Sequence, residues 1–298
     1  MLPLRAATRV HPSAPGFRAD ARPLNIPVKK IGPHRRRRIL RHLLRWALVV
    51  FTLYFLPVGY QLAVYYLDQD RTVPWWSQRR DSSAQAPDPA ITRDAIIQVY
   101  AARAVRWRGA LGVHTWIATK RPDESYYQRV EVMGFALRWG NQSVRIRTGT
   151  PDQYWFGSRP LLLREIRGGE EVNQLIDRIH HAARNYPYTR RYAIWPGPNS
   201  NTFTAHIGRT VPELSLDLPS TAIGKDYPTG GGLVQTPPSG KGLQLTFGGL
   251  LGLLVAPEEG VEVNLLGLTA GIDLSPPAIK LPGVGRIGYP DFARSVLP

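Results

Sequence analysis

Four short stretches hold side chains that can move a proton, carry a buried charge or attack a carbonyl. His114 stands in Val113–Lys120 (VHTWIATK), and Glu131 in the following run QRVEVMGFAL, residues 128–137. Ser200 lies in Asn199-Ser200-Asn201-Thr202-Phe203, just after a Pro/Gly turn. Lys225 and Asp226 are adjacent in STAIGKDY, residues 220–227. Each also has a plain structural reading. His114 fits a half-buried strand position, and Asn and Ser are strong helix N-caps.

Other chemistries find no support. The chain has no cysteine, so neither a disulfide nor a thiolate nucleophile is available. There is no GxxxxGK[ST], no GxGxxG after a strand, no HExxH and no GxSxG. The seven histidines are scattered, and no cofactor or metal site is expected. His180 and His181 are neighbours on a helix, point in different directions, and are expected to be solvated or paired with the helix dipole.

The elements that must position these residues follow from periodicity. AIIQVY, residues 95–100, is apolar and β-prone. VHTWIATK alternates in the strand manner, RPDES at 121–125 reads as a turn, and residues 128–137 return as a second strand. A hairpin centred near Asp123 places His114 opposite Val132 or close to it, with Glu131 within one register step. Residues 144–148 form another short strand. Tyr154-Trp155-Phe156 reads as an aromatic packing anchor in a loop. Val172, Leu175, Ile176, Ile179 and Ala183 fall at helical spacing, so a helix is predicted over 170–184, with Glu170 and Glu171 in its first turn. A second helix runs from Ser200 or Asn201 to Arg209. Residues 243–274 read as a glycine-bearing β-meander whose apolar first part, 243–256, is too short and glycine-rich for a membrane span, and residues 278–288 as irregular.

All of this follows one uncharged run, Trp46–Leu67 (WALVVFTLYFLPVGYQLAVYYL), whose strongly polar side chain is Gln61. A bilayer-spanning helix needs about 20 apolar residues, and membrane helices tolerate internal Pro and Gly such as Pro57 and Gly59. Residues 1–45 carry twelve Lys and Arg against one acid, Asp20, so most of the net charge of +16 sits there. That distribution argues against nucleic acid. Positive charge directly before a span keeps that flank in the cytoplasm, and a polybasic segment also attracts anionic lipid headgroups. Tyr65, Tyr66, Trp75 and Trp76 suit an aromatic belt at the far interface.

The expected organisation is therefore a basic cytoplasmic tail (1–45), disordered over residues 1–34, a transmembrane helix (46–67), a linker (68–90) and a folded domain (91–298). The fold class is α+β: a single N-terminal transmembrane helix followed by an antiparallel-sheet domain. The compartment is the bacterial inner membrane with the main domain periplasmic. The partners are the lipid bilayer, anionic headgroups at the basic segment, and an envelope substrate or partner protein.

The set VHTWIA, WPGPNSNTF and LPSTAIGKDYP resembles the bacterial family called domain of unknown function 3750, from about Ile96 to Gly288. A second, weaker likeness is to circularly permuted papain-like hydrolases and acyltransferases. In those, a strand His comes first, a polar orienting residue follows, and a Cys nucleophile starts a later helix. That likeness implies a permuted papain-like fold, with His114 as base, Glu131 as orienter and Ser200 in the nucleophile's place. A hydroxyl replaces the thiol, so Ser200 would need His114 at hydrogen-bond distance and donors for the oxyanion. Asn199, Asn201 and Thr202 would supply those donors, with Lys225 and Asp226 as further binding residues. Two functions follow: a non-catalytic binding or envelope-scaffold domain, or a Ser-dependent acyl or amide hydrolase or acyltransferase.

Overall fold

The structure, a computed structural model, describes residues 32–67 and 74–288. Residues 1–31, most of the expected tail, lie outside it. Of the described residues, 32–47 belong to one compact unit and 48–67 and 74–288 to a second.

Helix α1 runs from Pro33 to Leu67, so it begins well before the expected span at Trp46 and takes in the Arg35–Arg38 run. It is long and apolar enough to cross a membrane, and its surface is mostly exposed. In the second unit one stripe of it is covered: Tyr54, Phe55, Val58, Gln61, Leu62 and Tyr65, at helical spacing.

The domain opens with β1 (Ala95–Arg103), a one-turn α2 (Arg108–Leu111), β2 (Val113–Lys120), β3 (Gln128–Val132), β4 (Val144–Thr148) and β5 (Leu161–Gly168). These form an antiparallel sheet in the order β4-β3-β2-β1-β5. Its two faces are built differently. Ile97, Val99, Ile117, Val130 and Val132 point to α3 (Glu170–Arg184) and α4 (Ser200–Thr210), where Ile176, Ile179, Phe203 and Ile207 complete the main core. Ile96, Tyr100, Trp116 and Ala118 point the other way, under a loop that brings in Trp155.

The predicted helices stand where the periodicity puts them, but β5 is an element the sequence reading lacked. Of the expected linker, residues 68–73 lie outside the described residues, and the part around Ser82–Gln85 is docked: the buried Asp152 carboxylate accepts from Ser82 Oγ at 2.8 Å and from the backbone N–H of Gln85 at 2.6 Å. A buried carboxylate without such donors would be costly, so the segment is held by what Asp152 requires.

After α4 the chain forms a second antiparallel sheet, β6 (Val234–Gln235), β7 (Leu243–Phe247), β8 (Leu251–Ala256), β9 (Gly260–Leu265), β10 (Leu268–Leu274), β11 (Pro277–Leu281) and β12 (Gly285–Gly288), paired in chain order. The stretch expected to be irregular, 278–288, is thus two paired strands. Along β7 and β8, Leu243, Leu245, Phe247, Leu251, Leu253 and Val255 face out and Gln244, Thr246, Leu254 and Ala256 face in.

Candidate functional site

Pairing between β2 and β3 sets Ile117 against Val130 and Ala118 against Arg129. Extended along the strands, that register puts Glu131 across from Trp116 and on the same face as His114. His114 Nε2 lies 3.8 Å from Glu131 Oε2, an ion-pair distance too long for a hydrogen bond. The imidazole stacks on the Trp155 ring, with centroids 3.8 Å apart and planes 7° off parallel. Arg129 sits over Trp116 with its guanidinium 4.9 Å from the ring centroid, and its Nη2 donates to Glu131 Oε2 at 2.7 Å. Arg147 approaches the other carboxylate oxygen at 3.5 Å.

Burial pushes the Glu131 carboxyl up, but His114, Arg129 and Arg147 outweigh it and hold it at about 2. Burial pushes the His114 imidazole below its ordinary value, against the opposite pull of Glu131. The pair is therefore a neutral imidazole beside a carboxylate at pH 7, sealed by tryptophan. His114 is 7% exposed.

Ser200 belongs to a different place. Asn199 caps α4: its Oδ1 accepts from the backbone N–H groups of Asn201 (2.9 Å) and Thr202 (3.2 Å), and Thr202 Oγ1 accepts from the Asn199 N–H at 3.1 Å. This is a capping box in which Thr takes the returning role. The remaining donors tie in the loop that follows α4. Asn199 Nδ2 donates to the Ile223 carbonyl at 3.0 Å, Asn201 Nδ2 to Val113 and Ile223, and Thr202 Oγ1 to Gly224. Gly224 has φ +99°, and a Cβ there would meet the Asn199 side chain at 2.4 Å. The PGPNSNTF and TAIGKDY motifs are two halves of one clasp.

The face on which this clasp packs decides the chemistry. Thr115 Oγ1 bonds Asn201 Oδ1 at 3.0 Å and Thr204 Oγ1 at 2.9 Å, so α4 covers the face of β2 that Thr115 presents. His114, one residue earlier in a strand paired without a bulge, points to the opposite face. The structure brings His114 to Glu131 but does not bring either to Ser200. Asn199, Asn201 and Thr202 spend their side-chain donors on backbone carbonyls and their backbone N–H groups on the capping box, not on an oxyanion site.

Lys225 and Asp226 leave the clasp on the far side and enter the inner face of the seven-stranded sheet. Lys225 Nζ pairs with Glu262 Oε2 and lies 3.5 Å from Asp226; Glu262 Oε1 in turn takes Lys280 Nζ at 2.9 Å. Asp226 accepts from Gln244, Asn264 and Thr269. Burial works against the Lys225 charge, but the carboxylates of Asp226 and Glu262 raise its pKa. These two residues are a buried fastener between the loop and the second sheet.

His180 is another correction: it is buried, with Nε2 3.0 Å from Thr119 Oγ1, and burial lowers its pKa to about 4. Position on the inner stripe of α3 overrides the expectation of solvent. His181 is exposed beside Asn185, 3.1 Å away. Among the described residues no cluster of His, Asp and Glu is arranged to hold a metal ion.

A cavity of about 710 Å³ lies where the end of α1 meets the domain. Gln61 and Tyr65 line it with Trp75, Arg106, Trp107 and Phe156. Tyr65 and Trp75 are the interfacial aromatics expected from the sequence, whereas Arg106 and Trp107 are not among the expected site residues. Their signal was a basic, aromatic RAVRWR run, residues 103–108, between two apolar strands.

Residues 94–227 match the family described as protein of unknown function (DUF3750). Over these residues the chain is similar to that family. No curated protein and no solved structure matches the chain. The match ends at Tyr227, immediately after the Lys225–Asp226 fastener. The resemblance expected to reach Gly288 therefore stops before the second sheet.

Proposed function

We propose that this chain is a non-catalytic binding domain, anchored by α1 in the bacterial inner membrane with the domain on the periplasmic side. One observation carries the non-catalytic reading: β2 presents His114 and the α4 clasp on opposite faces, so His114 does not serve the Ser200 hydroxyl as a base. Acyl transfer through a serine requires that contact. Ser200 is itself 3% exposed, at the first turn of a helix packed into the core.

The cavity at the end of α1 supports binding as the role. It combines Trp75, Trp107 and Phe156 with the exposed Arg106 beside the last turns of a membrane-type helix. Aromatic rings with an amphipathic setting and a guanidinium that forks onto phosphate or carboxylate suit an anionic amphiphile of the envelope.

The test has two arms. The full chain in detergent is treated with a fluorophosphonate probe, and no labelling is expected; labelling that disappears in Ser200→Ala overturns the non-catalytic reading. Native mass spectrometry of the chain purified with membrane lipid is expected to show a retained anionic lipid that is lost in Arg106→Glu. Equal retention in both removes the cavity as the binding site.

A further inference from the structure

The seven-stranded sheet is inside out for a domain in water. A row of side chains crosses six strands, Leu243–Val255–Val261–Ile272–Ile279–Ile287, each paired with the next. Leu243 is 53% exposed, Ile279 55% and Ile287 54%. The charged residues of these strands, Glu262, Asp273, Lys280 and Arg286, all lie on the other face, in the network that includes Lys225. A contiguous apolar surface of this extent, free of charge, marks a contact with another apolar phase.

What that phase is follows from the contact with α1. Tyr54 is buried, and its hydroxyl bonds the backbone carbonyl of Leu268 and accepts from the N–H of Leu265 at 3.0 Å, at the β9–β10 turn. Tyr54 stands thirteen residues before the end of α1. At about 1.5 Å per residue that is roughly 20 Å down the helix, in a hydrocarbon layer about 30 Å thick. If α1 crosses a bilayer, the turn that touches Tyr54 is below the membrane surface, and the apolar face that continues from it meets acyl chains.

The strands are too short to cross. β7 to β12 have four to seven residues, whereas a spanning strand needs about 9–11. Open strand edges are not tolerated in hydrocarbon, but a covered sheet can offer one apolar face to it. We propose that the outward face of the β7–β12 sheet is seated in the acyl-chain region of the leaflet nearest the domain, making this part of the protein monotopic beside the α1 anchor. The occupant of the face is lipid hydrocarbon. The inference rests on α1 being a membrane anchor.

The absence of native cysteine allows a direct test. Single cysteines replace the exposed Leu53 in α1, Leu253 in β8, Ile279 in β11 and Gln174 in α3, each labelled with an environment-sensitive fluorophore in full-length protein in phosphatidylcholine vesicles. Phospholipid brominated along its acyl chain is expected to remove roughly half the fluorescence at Leu53→Cys, Leu253→Cys and Ile279→Cys, while aqueous iodide quenches Gln174→Cys alone. Lipid quenching at Leu53→Cys with iodide quenching at both sheet positions overturns the inference and leaves the anchor standing. Sheet labels shielded from both quenchers, with label–label excimers, assign the face to a second copy and also overturn it. No lipid quenching at Leu53→Cys removes the anchor, and the inference with it.

Discussion

The two sheets hold themselves together by opposite means. In the five-stranded sheet, apolar side chains point inward to α3 and α4, and the polar groups that are buried sit in small, closed sets such as Arg129 with Glu131. In the seven-stranded sheet the buried face is mostly polar, with Gln244, Glu262, Asn264, Thr269 and Lys280 meeting Lys225 and Asp226, and most of the large apolar residues are left outside. The first arrangement is what burial of apolar surface from water produces. The second gains little from that effect in water and depends on every buried charge having its partner. The difference predicts which substitutions each sheet will feel.

The largest effect is expected at Lys225. Lys225→Ala leaves Glu262 and Asp226 buried with less positive charge, and removing one member of a buried pair costs about 3–5 kcal/mol. Limited proteolysis should cut the β7–β12 region first, with the 94–227 domain surviving longer. Lys280 also reaches Glu262 at 2.9 Å, so the double variant Lys225→Met with Glu262→Leu takes a partner from Lys280 as well and should recover only part of the loss. If Lys225→Ala unfolds both sheets together in one transition, the two regions are not held by separate means.

Next in size is the converse pair. Ile176 is fully buried between α3 and the first sheet, and Ile176→Ala should cost about 2–5 kcal/mol in denaturant unfolding. Leu253 is of similar bulk but lies on the outward face, 43% exposed. In detergent Leu253→Ala should change stability by under about 0.5 kcal/mol. A loss comparable to that at Ile176 would mean the outward face is packed against protein.

Much of the first sheet could be read from the chain because its residues announce both period and direction. Val172, Ile176, Ile179 and Ala183 recur at helical spacing with charges between them, and they do face the core. The hairpin about Asp123 and the cap at Asn199 also follow local rules. The second sheet was legible only in part. Leu243-Gln244-Leu245-Thr246-Phe247 alternates, and alternation gives a strand without saying which side is the interior. The strands at 277–281 and 285–288 were missed because Pro and Gly punctuate them and each is short. The site failed for a related reason. His114 and Ser200 are each placed correctly on a strand and at a helix start, but which face of the sheet the helix covers is a tertiary fact. Thr115, next to the histidine, is the residue that meets α4.

The pH response separates the two regions at a smaller scale. Burial, with Asp217 nearby, pushes the Glu259 carboxyl up to about 7, while its bond with Ser239 and the Lys225 charge pull the other way. Its folded pKa is above the unfolded value, so the folded state binds more protons between about 4.5 and 7 and stability falls as pH rises through that window. Glu131, held at about 2, acts in the opposite sense: its contribution is complete above the unfolded pKa and is lost as pH falls from about 4.5 towards 2. Glu259→Gln should remove a change on the order of 1–3 kcal/mol between pH 5 and 7 and leave the acid limb intact. Unfolding midpoints across pH 2–8 for both proteins measure this. A Glu259→Gln profile that still falls between pH 5 and 7 would place the proton elsewhere.

The smallest effect is expected where the sequence promised the most. Ser200 reaches its neighbours through its backbone carbonyl, which accepts from Thr115 Oγ1 at 3.4 Å and Thr204 Oγ1 at 3.2 Å. Alanine keeps that carbonyl, and it is a better helix former than serine. Ser200→Ala should therefore shift stability by no more than about 0.5 kcal/mol. Asn199→Ala, one residue away, removes the cap and the bonds to Ile194 and Ile223, and should cost about 1–2 kcal/mol or more. The ratio of the two, read from matched denaturation curves, tests whether NSNT is a clasp or a catalytic turn. A clasp makes the asparagine matter and the serine hydroxyl indifferent, both to stability and to any cellular phenotype of the intact chain. A serine change that is silent in unfolding yet abolishes that phenotype would restore the hydroxyl as the working group.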